Sequence, residues 1–141
     1  MIAGLAAGGL CAFFLVSTRP RAAAGTVLNP QEVHEALDEK RLILVDIRRP
    51  DEWTKTGVAQ GAIPIDMRRG DFVDAVQEAR GPDPDIPVAL ICARGVRSRR
   101  MTRALVEAGI GPIIDIPEGM LGSSDGPGWL GRGLPIVEYK A

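Results

Sequence analysis

Val88-Ala89-Leu90-Ile91-Cys92, followed at once by Ala93-Arg94-Gly95-Val96-Arg97-Ser98, decides the fold. The first five residues form an unbroken apolar run, the pattern of a short strand covered on both faces, as parallel sheets require. Gly95 permits a sharp turn. Beyond it the apolar period changes: Met101, Ala104, Leu105 and Ala108 fall at i, i+3, i+4 and i+7. That spacing predicts an amphipathic helix starting near Arg97 or Ser98, with Gly109 as its stop. Cys92 therefore ends a strand at a tight loop that opens a helix, the edge of an α/β sheet where ligands bind.

The same alternation extends in both directions. Leu42-Ile43-Leu44-Val45-Asp46 is a second buried run, and residues 26–28, 63–66 and 113–116 read as further short strands. Asn29-Pro30-Gln31-Glu32 opens a helix, with Asn29 as cap, Pro30 in the first turn, Glu32 as the capping-box acid and Val33, Ala36 and Leu37 as its apolar stripe. Residues 71–80 give another helix through Phe72, Val73, Val76 and Ala79, and the prolines of 81–85 mark a loop. The expected architecture is α/β: a central parallel sheet of about five strands with helices on both faces.

Composition fits one globular domain. The chain has 141 residues, 45% hydrophobic and 25% charged, with a formal net charge of −1. That balance gives no strongly basic face of the kind that binds nucleic acid. Residues 1–16 are almost wholly apolar, and Ala22-Ala23-Ala24 fits the small-x-small pattern of a cleavage site. Residues 1–24 are thus expected to be a secretory signal or a membrane anchor, with 25–141 as the domain and an exported, periplasmic location. Sixteen residues span about 24 Å as a helix, short for a bilayer core of about 30 Å. The basic residues of this stretch, Arg19 and Arg21, lie after the apolar run rather than before it. Cleavage after Ala24 would remove Cys11 and leave Cys92 as the lone thiol, with 15 basic and 18 acidic residues and a net charge of −3. A lone thiol is either buried and inert or reactive.

The loop after Cys92 favours the reactive alternative. Successive amides in a tight turn form an anion-binding nest, and a helix amino terminus adds its positive end. Arg94 and Arg97 flank Gly95 and bring two full charges. All of these favour a thiolate, and the same donors would hold an anionic substrate. Arg99, Arg100 and Arg103 read instead as a solvated helix face.

Three segments in order resemble the rhodanese family. Residues 44–53, Leu-Val-Asp-Ile-Arg-Arg-Pro-Asp-Glu-Trp, with Gly57 and Gly61-Ala62-Ile63-Pro64, look like its amino-side motif; Cys92-Ala93-Arg94-Gly95-Val96-Arg97-Ser98 looks like its active-site loop; Gly119, Trp129 and Gly133-Leu134-Pro135 look like its closing segment. The resemblance spans roughly residues 26–137 and is nearest to exported bacterial single-domain rhodaneses. Val58 stands where the family often has a histidine, and residues 123–128 look like an insertion that reshapes the pocket rim.

The resemblance implies a sulfurtransferase without a cofactor or metal. Cys92 would take the outer sulfur of thiosulfate or a similar anionic donor as a persulfide and pass it to a thiol, cyanide or a protein acceptor. Loop amides from Ala93, Arg94, Gly95, Val96 and Arg97 would bind the anionic sulfur, and Arg94 the donor's oxygens. Asp46, Arg48 and Glu52 would brace the loop's surroundings. Trp53 reads as core, and Trp129 either as core or as lining the pocket mouth. Four rivals stand beside this reading. A persulfide carrier or interaction module would use the same residues. Phosphatases of this fold have five residues between Cys and Arg, against four here between Cys92 and Arg97. A cysteine hydrolase would need His34, which reads as a surface residue on the first helix. A metal site would need more than one His and one Cys.

Overall fold

The computed structural model describes residues 25–141; the expected signal or anchor at 1–24 lies outside them. Five strands form one parallel sheet: β1 (Thr26–Val27), β2 (Ile43–Asp46), β4 (Ala62–Pro64), β5 (Val88–Ile91) and β6 (Ile113–Asp115), in the order β1-β6-β5-β2-β4. The helices are α1 (Pro30–Asp38), α2 (Pro50–Thr56), α3 (Phe72–Arg80), α4 (Val96–Glu107) and α5 (Gly128–Gly131). Two short strands, β3 (Val58–Ala59) and β7 (Ile136–Val137), pair antiparallel beside the main sheet. No helix among the described residues is long and apolar enough to cross a membrane.

Strand periodicity divides the core into two faces. Leu44, Ala89, Ile91 and Ile114 point toward Val33 and Ala36 of α1 and Trp129 of α5. Val45, Ile47, Val88, Leu90, Cys92 and Ile113 point the other way, toward Phe72 and Val76 of α3 and Leu105 of α4. The helices thus cover both faces, as expected. The α1 capping box forms as read: Asn29 accepts from the Glu32 amide at 3.0 Å, and Glu32 accepts from the Asn29 amide at 2.8 Å.

Three expectations need correction. The strand read at 63–66 is β4 at Ala62–Pro64, at the sheet edge, where a proline's missing N–H is tolerated. Helix α2 and strand β3 were not foreseen. Helix α4 starts at Val96, with Gly95 in its cap at φ +83°, and it buries Ser98, Thr102 and Leu105; Ala104 and Ala108 of the expected apolar stripe are exposed. The helix is therefore phased by its first turn, which turns Ser98 inward, and the residues four and seven positions later follow.

A buried ion pair stands at the end of β2. Arg48 is 1% exposed and Asp46 0%. Arg48 Nη2 meets Asp46 Oδ2 at 2.7 Å, Nε donates to both oxygens, and the Arg48 amide donates to Oδ1 at 3.1 Å. The guanidinium also donates to Thr56 Oγ1 and the Gly57 carbonyl, both at 2.9 Å, tying β2 to the end of α2. Removing one partner strands a buried charge, whereas removing both does not. Arg48→Met is expected to cost about 3–5 kcal/mol in urea unfolding, and Asp46→Leu/Arg48→Met distinctly less; a double variant as unstable as the single one would contradict this.

Candidate active site

Cys92 directly follows β5 and is 1% exposed. Its sulfur accepts the Gly95 amide at 3.2 Å and the Ser98 amide at 3.4 Å. The thiol meets Ser98 Oγ at 3.6 Å, and the Ser98 hydroxyl donates to the Gly95 carbonyl at 3.2 Å. In α4 the first intrahelical bond of the cap runs from the Arg99 amide to the Gly95 carbonyl. The amides of Val96 and Arg97, in the first turn, have no acceptor among the described residues and stay available to an anion.

The closing segment holds this loop from behind. The Met120 amide donates to the Cys92 carbonyl at 2.8 Å and the Leu121 amide to the Ala93 carbonyl at 2.9 Å. A Cβ on Gly95 would stand 2.1 Å from the Pro117 carbonyl oxygen, and one on Gly119 would stand 2.4 Å from the Ala93 oxygen. The two backbones therefore pack with no side chain between them. Residues 123–128 join the same support: Ser123 Oγ donates to the Pro117 carbonyl at 2.9 Å, and the buried Glu118 accepts from the Gly128 amide at 3.0 Å and from two Arg132 nitrogens at 2.8 and 2.6 Å. The Arg132 guanidinium holds the Glu118 carboxyl below its ordinary value.

The predicted site residues come together, but not all as expected. Ala93 and Gly95 form the turn. Val96 is 75% exposed, so only its backbone faces the site. Arg94 is exposed, with one guanidinium nitrogen 3.2 Å from the Gly122 carbonyl. Arg97 is not a free charge: it donates to Glu52 at 2.8 and 2.6 Å. Glu52 thus braces the loop, as expected of it, and also accepts from the Arg49 amide at 3.0 Å at the start of α2.

Trp129 is core rather than pocket lining: it is 0% exposed, and Nε1 donates to the Pro135 carbonyl at 2.9 Å. Trp53 is buried, as read, with its ring edge toward Tyr139. His34, expected at the surface, is half-buried, its ring edge-on to Trp129 with centroids 5.8 Å apart. It lies on the sheet face opposite Cys92 and cannot serve as its base. Sequence reading missed Ser98 as a partner of the sulfur; its signal was a hydroxyl residue in the first turn of the helix that follows the cysteine.

Arg97 holds the Glu52 carboxyl at about 2, down from an ordinary 4.5. The folded value is below the unfolded one, so this pair's stabilisation is fully present above about pH 4.5 and is lost as the pH falls toward 2. Over that window the wild-type melting temperature is expected to fall more steeply than that of Glu52→Gln; parallel curves would show that the pair contributes nothing.

A family model described as the rhodanese-like domain matches residues 29–123. The chain is 29% identical over 102 residues to the tRNA uridine(34) hydroxylase of Synechococcus elongatus, covering 72% of this chain but only 38% of that relative. Among solved structures, it is 27% identical to a thiosulfate sulfurtransferase from Pseudomonas aeruginosa, with a TM-score of 0.66 over 83% of this chain and 21% of that one. The polysulfide-sulfur transferase of Wolinella succinogenes is 26% identical, with a TM-score of 0.59 over 85% of this chain and 83% of that one. A parallel sheet with a cysteine loop at its carboxyl edge, matched over residues 29–123, makes this chain a member of the rhodanese-like domain family.

Proposed function

We propose that this protein moves a sulfane sulfur from thiosulfate or a similar anionic donor to a thiol or cyanide acceptor, through a persulfide on Cys92. The observation that carries the proposal is the pair of amides, from Gly95 and Ser98, aimed at the sulfur from the amino-terminal turn of α4. Such donors favour a thiolate. They cost no reorganisation when charge builds up during reaction. The thiolate attacks the donor's outer sulfur, sulfite leaves, and the persulfide's outer sulfur carries the remaining charge. The open amides of Val96 and Arg97, in the same turn, are unused donors for that charge. Arg94, exposed at the rim, is the group that meets the donor's oxygens. Arg97, held by Glu52, fixes the start of α4 rather than gripping substrate. The sulfur-transferring names of the two structural neighbours support the same chemistry.

Intact mass after brief thiosulfate treatment tests this. A gain of one sulfur, about 32 Da, is expected with Cys92 and not with Cys92→Ser, and cyanide or a thiol should reverse it. No gain would overturn thiosulfate as donor. Poor thiosulfate turnover alongside rapid transfer of the sulfur to a protein partner would favour the alternative of a persulfide carrier. We also infer export through residues 1–24, and the same measurement on protein made in a secreting cell reads cleavage after Ala24 directly.

A second reading follows from the curated relative, whose name places it on a tRNA uridine. Arg99, Arg100 and Arg103 are exposed on α4 and would be the contacts. Salt-dependent tRNA binding that is weakened by replacing these three would favour it.

A further inference from the structure

The outer side of α4 carries a stripe that the sulfur chemistry above does not use. Val96, Arg99, Arg100 and Arg103 fall at i, i+3, i+4 and i+7, one face of a helix, and all four are exposed. Ser98, Thr102 and Leu105 are buried on the other side. The stripe begins in the turn that follows Cys92 and runs away from it for about 10 Å, at about 1.5 Å per residue. Its charges are open. Arg48, Arg49, Arg68 and Arg97, at the same edge of the sheet, are closed by Asp46, Asp51, Asp66 and Glu52 at 2.6 to 2.9 Å. Arg99 has only Asp125, at 3.9 Å. Arg100 and Arg103 form no ion pair among the described residues. Exposed apolar side chains mark the end of the stripe nearest the sulfur: Val96 is 75% exposed and Leu121 42%. Leu121 is pinned to the cysteine loop, its amide donating to the Ala93 carbonyl at 2.9 Å, and the Gly122 carbonyl accepts from Arg94 at 3.2 Å. Apolar side chains beside a charged rim are the pattern of a protein contact, and phosphates gain nothing from them. A chain of net charge −1 is also a poor match for a polyanion. Cys92 is 1% exposed, so an acceptor must bring its sulfur to the loop on something narrow, as a cysteine on a projecting turn does.

We propose that the outer face of α4, with Val96 and Leu121 at its end, docks a protein acceptor whose cysteine is flanked by acidic side chains and an apolar one. This deepens the sulfur-transfer reading and rests on it. Arg99, Arg100 and Arg103 meet the acidic flank, and the apolar neighbour of the cysteine covers Val96 and Leu121. The docked thiol gives its proton to solvent, and the thiolate's electron pair forms a bond to the outer sulfur of the Cys92 persulfide. The S–S bond to Cys92 breaks, its pair returns to Cys92 as a thiolate, and the acceptor leaves as a persulfide. No oxidant or reductant is consumed. Charges at such a rim act on partner choice and encounter rate more than on the chemical step.

The test is fluorescence anisotropy of labelled synthetic peptides with the full chain. Each peptide holds a serine in place of the acceptor cysteine and a leucine beside it; glutamates flank one and lysines the other. The wild type is expected to bind the glutamate peptide about tenfold more tightly than the lysine peptide, as a few exposed pairs allow, and to lose that preference at high salt. Arg99→Glu/Arg100→Glu/Arg103→Glu should invert it. If that variant does not fold, Arg100→Gln/Arg103→Gln should abolish it. A wild type without a preference, or a preference that survives these changes, overturns the proposal. So does tRNA that binds more tightly than the glutamate peptide at physiological salt and is lost in the same variants, which assigns the stripe to nucleic acid. Serine peptides take no sulfur, so a preference with no sulfur gained by Cys92 from thiosulfate would sink the transfer reading and leave the docking face standing. From loaded protein, the cysteine form of the glutamate peptide should take sulfur several-fold faster with the wild type than with Arg100→Gln/Arg103→Gln. Mercaptoethanol, which has no flanks to dock, should take it equally from both; equal rates for the peptide overturn the proposal.

Discussion

Two stretches of main chain meet behind the cysteine with nothing between them, and much of the domain is arranged around that contact. Residues 92–95 lie against 117–121, where a single added carbon at Gly95 or Gly119 would collide with a carbonyl. The contact is directional as well as close, because the Cys92 and Ala93 carbonyls accept amides from the opposite stretch. Gly95 must take a left-handed conformation to make the turn. The helix that follows then has its phase fixed, and Ser98 comes to rest on the sulfur. The geometry around Cys92 is set by backbone packing, which makes it rigid in a way that flexible side chains could not.

Around this contact, arginines and carboxylates are matched rather than left free. Arg48 is closed by Asp46, Arg97 by Glu52 and Arg132 by Glu118, each through short bonds. The Arg97–Glu52 pair joins α4 to α2, 45 residues earlier, and Arg132–Glu118 ties the stretch after β6 to the end of α5. Their role is to hold elements in register. The positive character at Cys92 then comes from aligned peptide groups, with Arg94 as the exposed cation at the rim. Such a field is insensitive to which rotamer a long side chain adopts, and it is worth most where water is excluded.

The sheet was legible because its central strands are continuous apolar runs. Residues 42–46, 88–92 and 113–116 cannot be amphipathic surface helices, and the alternation with helical stretches leaves a parallel sheet as the natural arrangement. The cap at Asn29 was equally clear. Helix α2 was not, since its seven residues carry one large apolar side chain, Trp53, and hold together through Pro50 and Glu52. Strands of two residues, β3 and β7, have no period to detect. The phase of α4 was misread for a physical reason: two of its inward positions, Ser98 and Thr102, are polar, and Ser98 faces the Cys92 thiol rather than a hydrophobic core. At the site, Cys92 and its loop could be read from local spacing. The partner of Arg97 could not, for it lies on another element 45 residues earlier in the chain, and Glu118 gave no local sign of its tie to Arg132.

The near-complete burial of Cys92 has a consequence for how the domain is addressed. An S–S bond is about 2 Å long, so under the proposed transfer the second sulfur, rather than the covered thiol, is the atom that an acceptor meets. Under that proposal the empty domain offers an acceptor little to attack, whereas a filled one presents its cargo one bond beyond the Cys92 sulfur. Occupancy would then be read as shape: an acceptor could tell full from empty by touch, and bulky oxidants would be kept from the bare thiol between deliveries.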